Sequence, residues 1–297
     1  MVDGRISFQD EISRNKRSSY FLIGSVLLVL LVLVYIIAAI MGKDYFFFIL
    51  IFGTIFSLVY VVGGYYNSDK LALASVRAKP ANGPQYRQFN SIVEGLCLAS
   101  GLPKPRLFVM KDLQINAFAS GRDPEHAVIC VTEGCLAKLD KQELEGVLAH
   151  ELSHIANYDI KFMTLAAILV GMISIIAQIF LRSLFWSSLG GGDNRNKNGV
   201  IFMVIGIILA ILAPIVVALV QLAISRKREY AADSSAVKFV RSPTGLISAL
   251  EKIKNNKPVK KFSGAVAPLF IAKPGREKEW FQTHPPLSKR IEKLRRM

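Results

Sequence analysis

The chain has 297 residues, of which 52% are apolar and only 20% charged, with 37 Lys and Arg against 22 Asp and Glu and a net charge of +15. Its mean hydropathy of +0.38 excludes a disordered tail, a collagen-like fibre and a disulfide scaffold. Three scattered cysteines, Cys97, Cys130 and Cys135, form no C-x-x-C pair and read as buried free thiols. So much apolar residue beside so much basic charge points to segregation, with long apolar runs in one place and dense charge in another.

Two uncharged runs, Tyr20–Met41 and Tyr45–Tyr66, have 22 residues each. As helices each is about 33 Å long, enough to cross a hydrocarbon core of ~30 Å. Only Gly42, Lys43 and Asp44 separate them, so they read as a transmembrane hairpin. The first run is too long for a signal-peptide core and is expected to be retained. Two further runs, Phe162–Leu181 (20 residues) and Val200–Ile224 (25 residues, with Pro214), bring the expected spans to four. Pro214 is tolerable inside a lipid-buried helix.

The basic residues orient these spans. Thirty-three of the 37 Lys and Arg fall in residues 1–19, 67–161 and 225–297, and four fall in the loops at 43 and 182–198. The excess predicts cytoplasmic termini and a cytoplasmic active site. It also explains the high isoelectric point through anionic inner-leaflet lipid, without nucleic acid as a partner. The expected organisation is an N-terminal arm (1–19), the hairpin (20–66), a first cytoplasmic part (67–161), two spans with an outer loop (162–224, loop 182–198) and a second cytoplasmic part (225–297).

Within 67–161, Gln85–Ser100 has helical periodicity and stops at Gly101 and Pro103. Three short strand-like runs follow, Arg106–Met110, Ala117–Ser120 and Ala127–Thr132, and suggest a small antiparallel meander. Asp140 with Glu143 is a capping pair opening the helix LDKQELEGVLAHELSHIAN. Residues 225–240 should continue the fourth span as a helix. The tail is mostly helical and ends in the amphipathic LSKRIEKLRR.

The capped helix contains His150-Glu151-Leu152-Ser153-His154. Histidines at i and i+4 share a helix face, so both imidazoles can reach one metal ion, and the glutamate between them can serve as a base. A catalytic site needs a third ligand. His126 and His284 are available, and so is a carboxylate from Ser225-Arg226-Lys227-Arg228-Glu229-Tyr230-Ala231-Ala232-Asp233. There Glu229 and Asp233 share a face, one placed to bind metal and the other to orient a ligand histidine. An ordinary charged face pairing with Arg226 or Arg228 is the alternative. His126 reads as a turn residue, Asp159 as a cap on the third span, and Asn157 as either the end of the metal helix or a site contact.

HELSH, then SRKREYAAD, then THPPLSKRIEKL, with NAFASG before them, resembles the HtpX-type membrane zinc metalloproteases, relatives of the CAAX prenyl endopeptidases. The resemblance covers nearly the whole chain. It implies an α-helical membrane protein with four transmembrane helices and a small α+β zincin-like (gluzincin) cytoplasmic catalytic domain. It implies one Zn2+ per subunit on His150, His154 and Glu229, with Glu151 as catalytic base, in a bacterial plasma-membrane endopeptidase. Its substrates would be misfolded membrane proteins or unfolded polypeptides, and a homo-oligomer is possible. Asp233 and His284 are candidates for supporting the metal site or the transition state, and Asn116, Ala117 and Phe118 for a substrate-binding edge strand. CAAX prenyl processing and a non-catalytic zinc scaffold are the competing functions. A transporter is disfavoured because the spans lack ionisable residues.

Overall fold

The structure, a computed structural model, describes residues 43–161, 226–255 and 285–297, together with isolated helical positions between 21 and 39 and Gly206. The N-terminal arm, both later spans apart from Gly206, their outer loop, and His284 lie outside the described residues. Helix α1, Lys43–Tyr66, carries Phe47, Phe48, Phe52, Phe56 and Val59 on its exposed surface and buries only Ser57, Val61 and Gly64. An apolar helix of 24 residues exposed on nearly all sides is long and apolar enough to cross a membrane. Val34 and Tyr35 pack against it, Val34 over Gly53, where a Cβ would come within 2.7 Å, and Tyr35 edge-on to Phe46. Both ends of that contact belong to the expected hairpin.

After Asn67 the chain continues as α2, Ser68–Ser75. Strand β1, Lys79–Pro80, and a 3-10 turn at Pro84–Tyr86 lead into α3, Arg87–Ser100, which ends at Gly101 in the left-handed region (φ 71°). Strands β2 (Arg106–Met110), β3 (Ala117–Ser120) and β4 (Val128–Thr132) follow. Then come α4 (Glu133–Lys138), the long α5 (Lys141–Ala156), α6 (Arg226–Val240), α7 (Thr244–Asn255) and α8 (Leu287–Leu294).

The sheet corrects the expected meander. Its order is β1-β2-β4-β3, with β2 parallel to β4 and β3 antiparallel to β4. A meander would put β3 at the centre. Both β3 and β4 are buried throughout, and what sets β4 between its neighbours is pairing, over five residues with β2 and over four with β3. β1, too short to carry a period, was not legible in the sequence.

Helix α5 forms the middle of the domain. The capping pair is present as a full box: Asp140 accepts from the Glu143 N–H at 2.9 Å, and Glu143 accepts from the Asp140 N–H at 2.8 Å. From Glu143 to Ala156 every residue except Glu145 is buried. The helix is enclosed by α3, α6, α7 and β3, so its own pattern is not strongly amphipathic. Two glycines allow α7 to cross it closely. A Cβ on Gly146 would lie 2.5 Å from the Leu246 nitrogen, and one on Gly245 2.2 Å from the Gln142 oxygen. The expected outcome for Gly146→Ala is a loss of about 1–3 kcal/mol from forced separation of the backbones, read as a lower melting temperature.

Glu143 also ties α5 to α7, accepting from Ser248 Oγ at 2.6 Å and from Lys252 Nζ at 2.6 Å. Burial acts to raise its pKa, but hydrogen bonds from Lys252, Ser248 and the Asp140 backbone outweigh it and hold the carboxyl below its ordinary value. Its stabilisation is therefore complete above the unfolded carboxylate pKa of about 4.3 and is lost as pH falls through the depressed folded value. Glu143→Gln is expected to melt earlier than wild type at neutral pH, with the gap closing in acid. A gap of the same size at all pH would show that the ionised carboxylate contributes nothing.

Candidate metal centre

His150 and His154 stand one turn apart on the buried part of α5, with their Nε2 atoms 3.3 Å apart and their rings nearly perpendicular. Helix α6 lies against α5 and brings Glu229 between them. Its Oε2 is 3.6 Å from His150 Nε2 and its Oε1 is 3.6 Å from His154 Nε2. Potential ligand atoms of the three residues all lie within 4.8 Å of one another, and all three residues are buried. Tetrahedral zinc with bonds of about 2.0–2.1 Å needs donors roughly 3.3 Å apart, so the donor set suits the ion in both chemistry and spacing.

Each imidazole is braced on its other nitrogen. Asp233 Oδ1 lies 3.0 Å from His150 Nδ1, and Asp159 Oδ2 lies 3.1 Å from His154 Nδ1. A carboxylate behind each ring favours the tautomer with the proton on Nδ1 and leaves Nε2 to coordinate. Asp233 follows from the i, i+4 spacing with Glu229. Asp159 does not. α5 ends at Asn157, Tyr158 takes φ 58°, and that reversal brings Asp159 back onto His154, five residues earlier.

The residue that sequence reasoning missed is Arg290. It is completely buried and reaches three site residues. Its Nε donates to Asp233 Oδ2 at 2.9 Å and its Nη2 to Oδ1 at 2.6 Å, while its Nη1 lies 3.1 Å from Glu229 Oε2 and its Nη2 3.3 Å from His150 Nε2. A signal was present. In LSKRIEKL, Leu287, Arg290, Ile291 and Leu294 fall at i, i+3, i+4 and i+7, which puts a charge within the apolar stripe. Arg228 approaches Asp159 from α6, Nε to Oδ1 at 3.5 Å.

Burial and the Arg290 charge push the His150 imidazole down, but hydrogen bonds to Asp233 and Glu229 outweigh them and raise it to about 9. A cation bound at Nε2 would compete with that proton. Burial also acts to raise Asp233, yet Arg290 and His150 hold it down to about 2. Glu151 is buried. Its burial raises its pKa, against the pull of the two histidines.

The candidate strand β3 is the end strand of the sheet and packs against α5. Asn116 is buried, its Oδ1 accepting from the Ala117 N–H at 3.1 Å and its carbonyl from the Thr132 N–H at 3.0 Å. Phe118 is buried in a second apolar cluster with Ala72, Leu73, Met110, Val128 and Cys130, so its side chain serves packing. His126 is in a surface turn, bonded through Nδ1 to Asp123 at 2.6 Å, and the three cysteines are free and buried.

An H-E-x-x-H helix whose imidazoles converge with a carboxylate from a second helix defines a metallopeptidase. The chain belongs to peptidase family M48, whose sequence model matches residues 84–297. It is similar to a protease HtpX homolog of Caldanaerobacter subterraneus subsp. tengcongensis, with 48% identity over 251 residues covering 83% of this chain and 84% of the relative. A protease HtpX homolog of Dictyoglomus thermophilum is 40% identical over 294 residues, covering 98% and 95%. Among solved structures, Ste24p of S. mikatae aligns with a TM-score of 0.47 at 18% identity, over 95% of this chain and 64% of that one. By family and by these two protease relatives, this protein is a metalloprotease that carries a helix long and apolar enough to cross a membrane, and the family implies a metal cofactor.

Removing the guanidinium would leave buried carboxylates unpaired. Arg290→Ala is expected to cost about 3–5 kcal/mol and to lower metal content, with Arg290→Lys intermediate because it restores charge but not the fork. Thermal unfolding read beside elemental analysis of the purified full chain checks this, and wild-type values for both in the alanine variant would remove Arg290 from the site.

Proposed function

We propose that the protein is a zinc-dependent endopeptidase that cleaves misfolded membrane proteins or unfolded polypeptides at the cytoplasmic face of a bacterial plasma membrane. The observation that carries the reading is the convergence of His150 Nε2, His154 Nε2 and the Glu229 carboxylate, each imidazole braced from behind by an aspartate. In this reading residues 67–161 and 225–297 together make the catalytic part, set between spans at 20–66 and 162–224. The cytoplasmic placement rests on the distribution of Lys and Arg.

His150, His154 and Glu229 would hold the zinc ion, which when bound acidifies water and polarises the scissile carbonyl. Asp233 and Asp159 keep the imidazoles turned toward it. Glu151 removes a proton from the attacking water and returns it to the departing amine nitrogen, and the burial that raises its pKa strengthens it as a base. The main chain of β3 from Ala117 and Phe118 onward is the proposed guide for an extended peptide, with Asn116 anchoring its start on Thr132, since β3 ends the sheet and packs on the helix that carries the histidines. Recognition through main-chain bonds suits a peptidase that accepts many sequences. His284 precedes α8 by two residues and is a candidate to stabilise the transition state.

Glu151→Gln is expected to retain metal and lose about 100-fold or more of casein-type cleavage in detergent, whereas Glu229→Ala is expected to lose the metal itself. Wild-type turnover in the glutamine variant would refute the base, and full metal content in the alanine variant would refute the third ligand.

A further inference from the structure

We propose that a cavity at the end of α1 binds a phospholipid headgroup that carries both a phosphate and a primary ammonium. The inference rests on the reading of α1 as a bilayer-crossing helix and is independent of the peptidase chemistry. The cavity has a volume of about 240 Å3, and its walls include Tyr66, Asp69, Lys70, Arg106, Arg122 and Glu125.

The depth of the cavity follows from α1. Its 24 residues extend about 36 Å, slightly more than the ~30 Å hydrocarbon core. Tyr66 is its last residue, which sets it at headgroup level, where tyrosines concentrate. The exposed apolar side chains of α1 run from Tyr45 to Val62, and the cavity lies one turn further on, at Tyr66.

The walls are built. Gly121 has φ 137°, and a Cβ there would lie 2.6 Å from the His126 carbonyl oxygen, so the 121–126 loop closes tightly only with glycine. That loop sets the Arg122 guanidinium 5.0 Å over the Tyr66 ring, with Nη2 2.6 Å from His126 Nε2 and Nε 3.3 Å from Asp123 Oδ2. Arg106 is held by an ion pair with Asp69 of α2. Each guanidinium has five N–H donors, and these contacts use one or two of them.

Two charges in the lining remain uncommitted. Neither Lys70 nor Glu125 has an ion-pair partner among the described residues. Lys70 with the free donors of Arg106 and Arg122 suits a phosphate. A purely basic lining would suit any anionic lipid, but Glu125 in the same wall favours a headgroup that also presents N–H donors. Phosphoethanolamine satisfies both charges, whereas the quaternary ammonium of phosphocholine offers no N–H to the carboxylate. The volume suits a headgroup, with the acyl chains left along α1.

The test uses the full chain in lipid nanodiscs, transferred to detergent for native mass spectrometry. The bilayer is an equimolar mixture of phosphatidylethanolamine, phosphatidylcholine and phosphatidylglycerol. Wild type is expected to retain phosphatidylethanolamine at least about tenfold over phosphatidylcholine, and the Lys70→Gln/Arg122→Gln double variant to lose about tenfold of that retention. Glu125→Gln should erase the ethanolamine-over-choline preference, and Arg122→Lys, which keeps the charge, should bind close to wild type. Equal retention by wild type and the double variant would overturn the site. Preference for phosphatidylglycerol would overturn the paired-charge reading, and displacement of lipid by inorganic phosphate would show a free-anion site instead. Failure of α1 to cross the bilayer reads out separately in proteoliposomes, as Lys43→Cys and Lys79→Cys variants that react with an impermeant maleimide from the same side of the membrane.

Discussion

The fork of Arg290 on Asp233 and Glu229 is the constraint around which the rest of the centre is arranged. A domain interior disfavours isolated charge strongly, so carboxylates gathered there must be compensated. Here the carboxylates of Glu229, Asp233 and Asp159 meet the guanidinium groups of Arg290 and Arg228 beside two imidazoles. With the imidazoles neutral, one negative charge is left over. A divalent ion would overbalance it by one, and ionised Glu151 would return the cluster to neutrality. Arg290 arrives from α8, at the far end of the chain, so the metal pocket and the C-terminal helix complete each other. Its Nη1 also lies 3.1 Å from Glu229 Oε2, which places positive charge beside that carboxylate.

Helix α5 bears the consequences of this arrangement. A helix that presents two histidines and a glutamate to a buried centre, while packing α3, α6, α7 and β3, has no solvent face from which to take its register. Its position is set at both ends. At the start the capping box fixes the first turn and Glu143 reaches across to Ser248 and Lys252 of α7. At the finish Asn157 and the left-handed Tyr158 fold Asp159 back on His154. Between them Gly146 and Gly245 let α7 approach at backbone distance. The histidines thus project from a segment restrained before and after them, and pre-positioned ligands lose less order when a metal binds.

What could be read in the sequence was local and what could not was long-range. The capping pair Asp140 and Glu143, the H-E-x-x-H spacing and the Glu229/Asp233 pair each lie within one helical turn or two, and each stands where its spacing put it. The helices at 226–240 and 287–294 were legible for the same reason. Strand order was not, because β3 and β4 are equally buried and only the long-range parallel pairing of β4 with β2 sets which is central. Asp159 was hidden behind a positive φ at Tyr158, a conformation a tyrosine rarely signals. Arg290 was masked by company, one cation among eighteen in residues 225–297, and only its place in the apolar stripe of α8 set it apart.

The junction between α1 and the sheet has a further mechanical consequence. Asn67 donates its N–H to the Gly63 carbonyl at 3.0 Å and accepts from the Leu71 N–H at 2.9 Å, so α1 runs into α2 with scarcely a break. Ala72 and Leu73 of α2 then pack on Phe118 of β3, and Asp69 holds Arg106 of β2. The apolar helix is thereby joined to the strand beside the metal centre through a short, well-packed segment and not through a flexible linker. A sheet coupled in this way keeps a fixed orientation relative to α1.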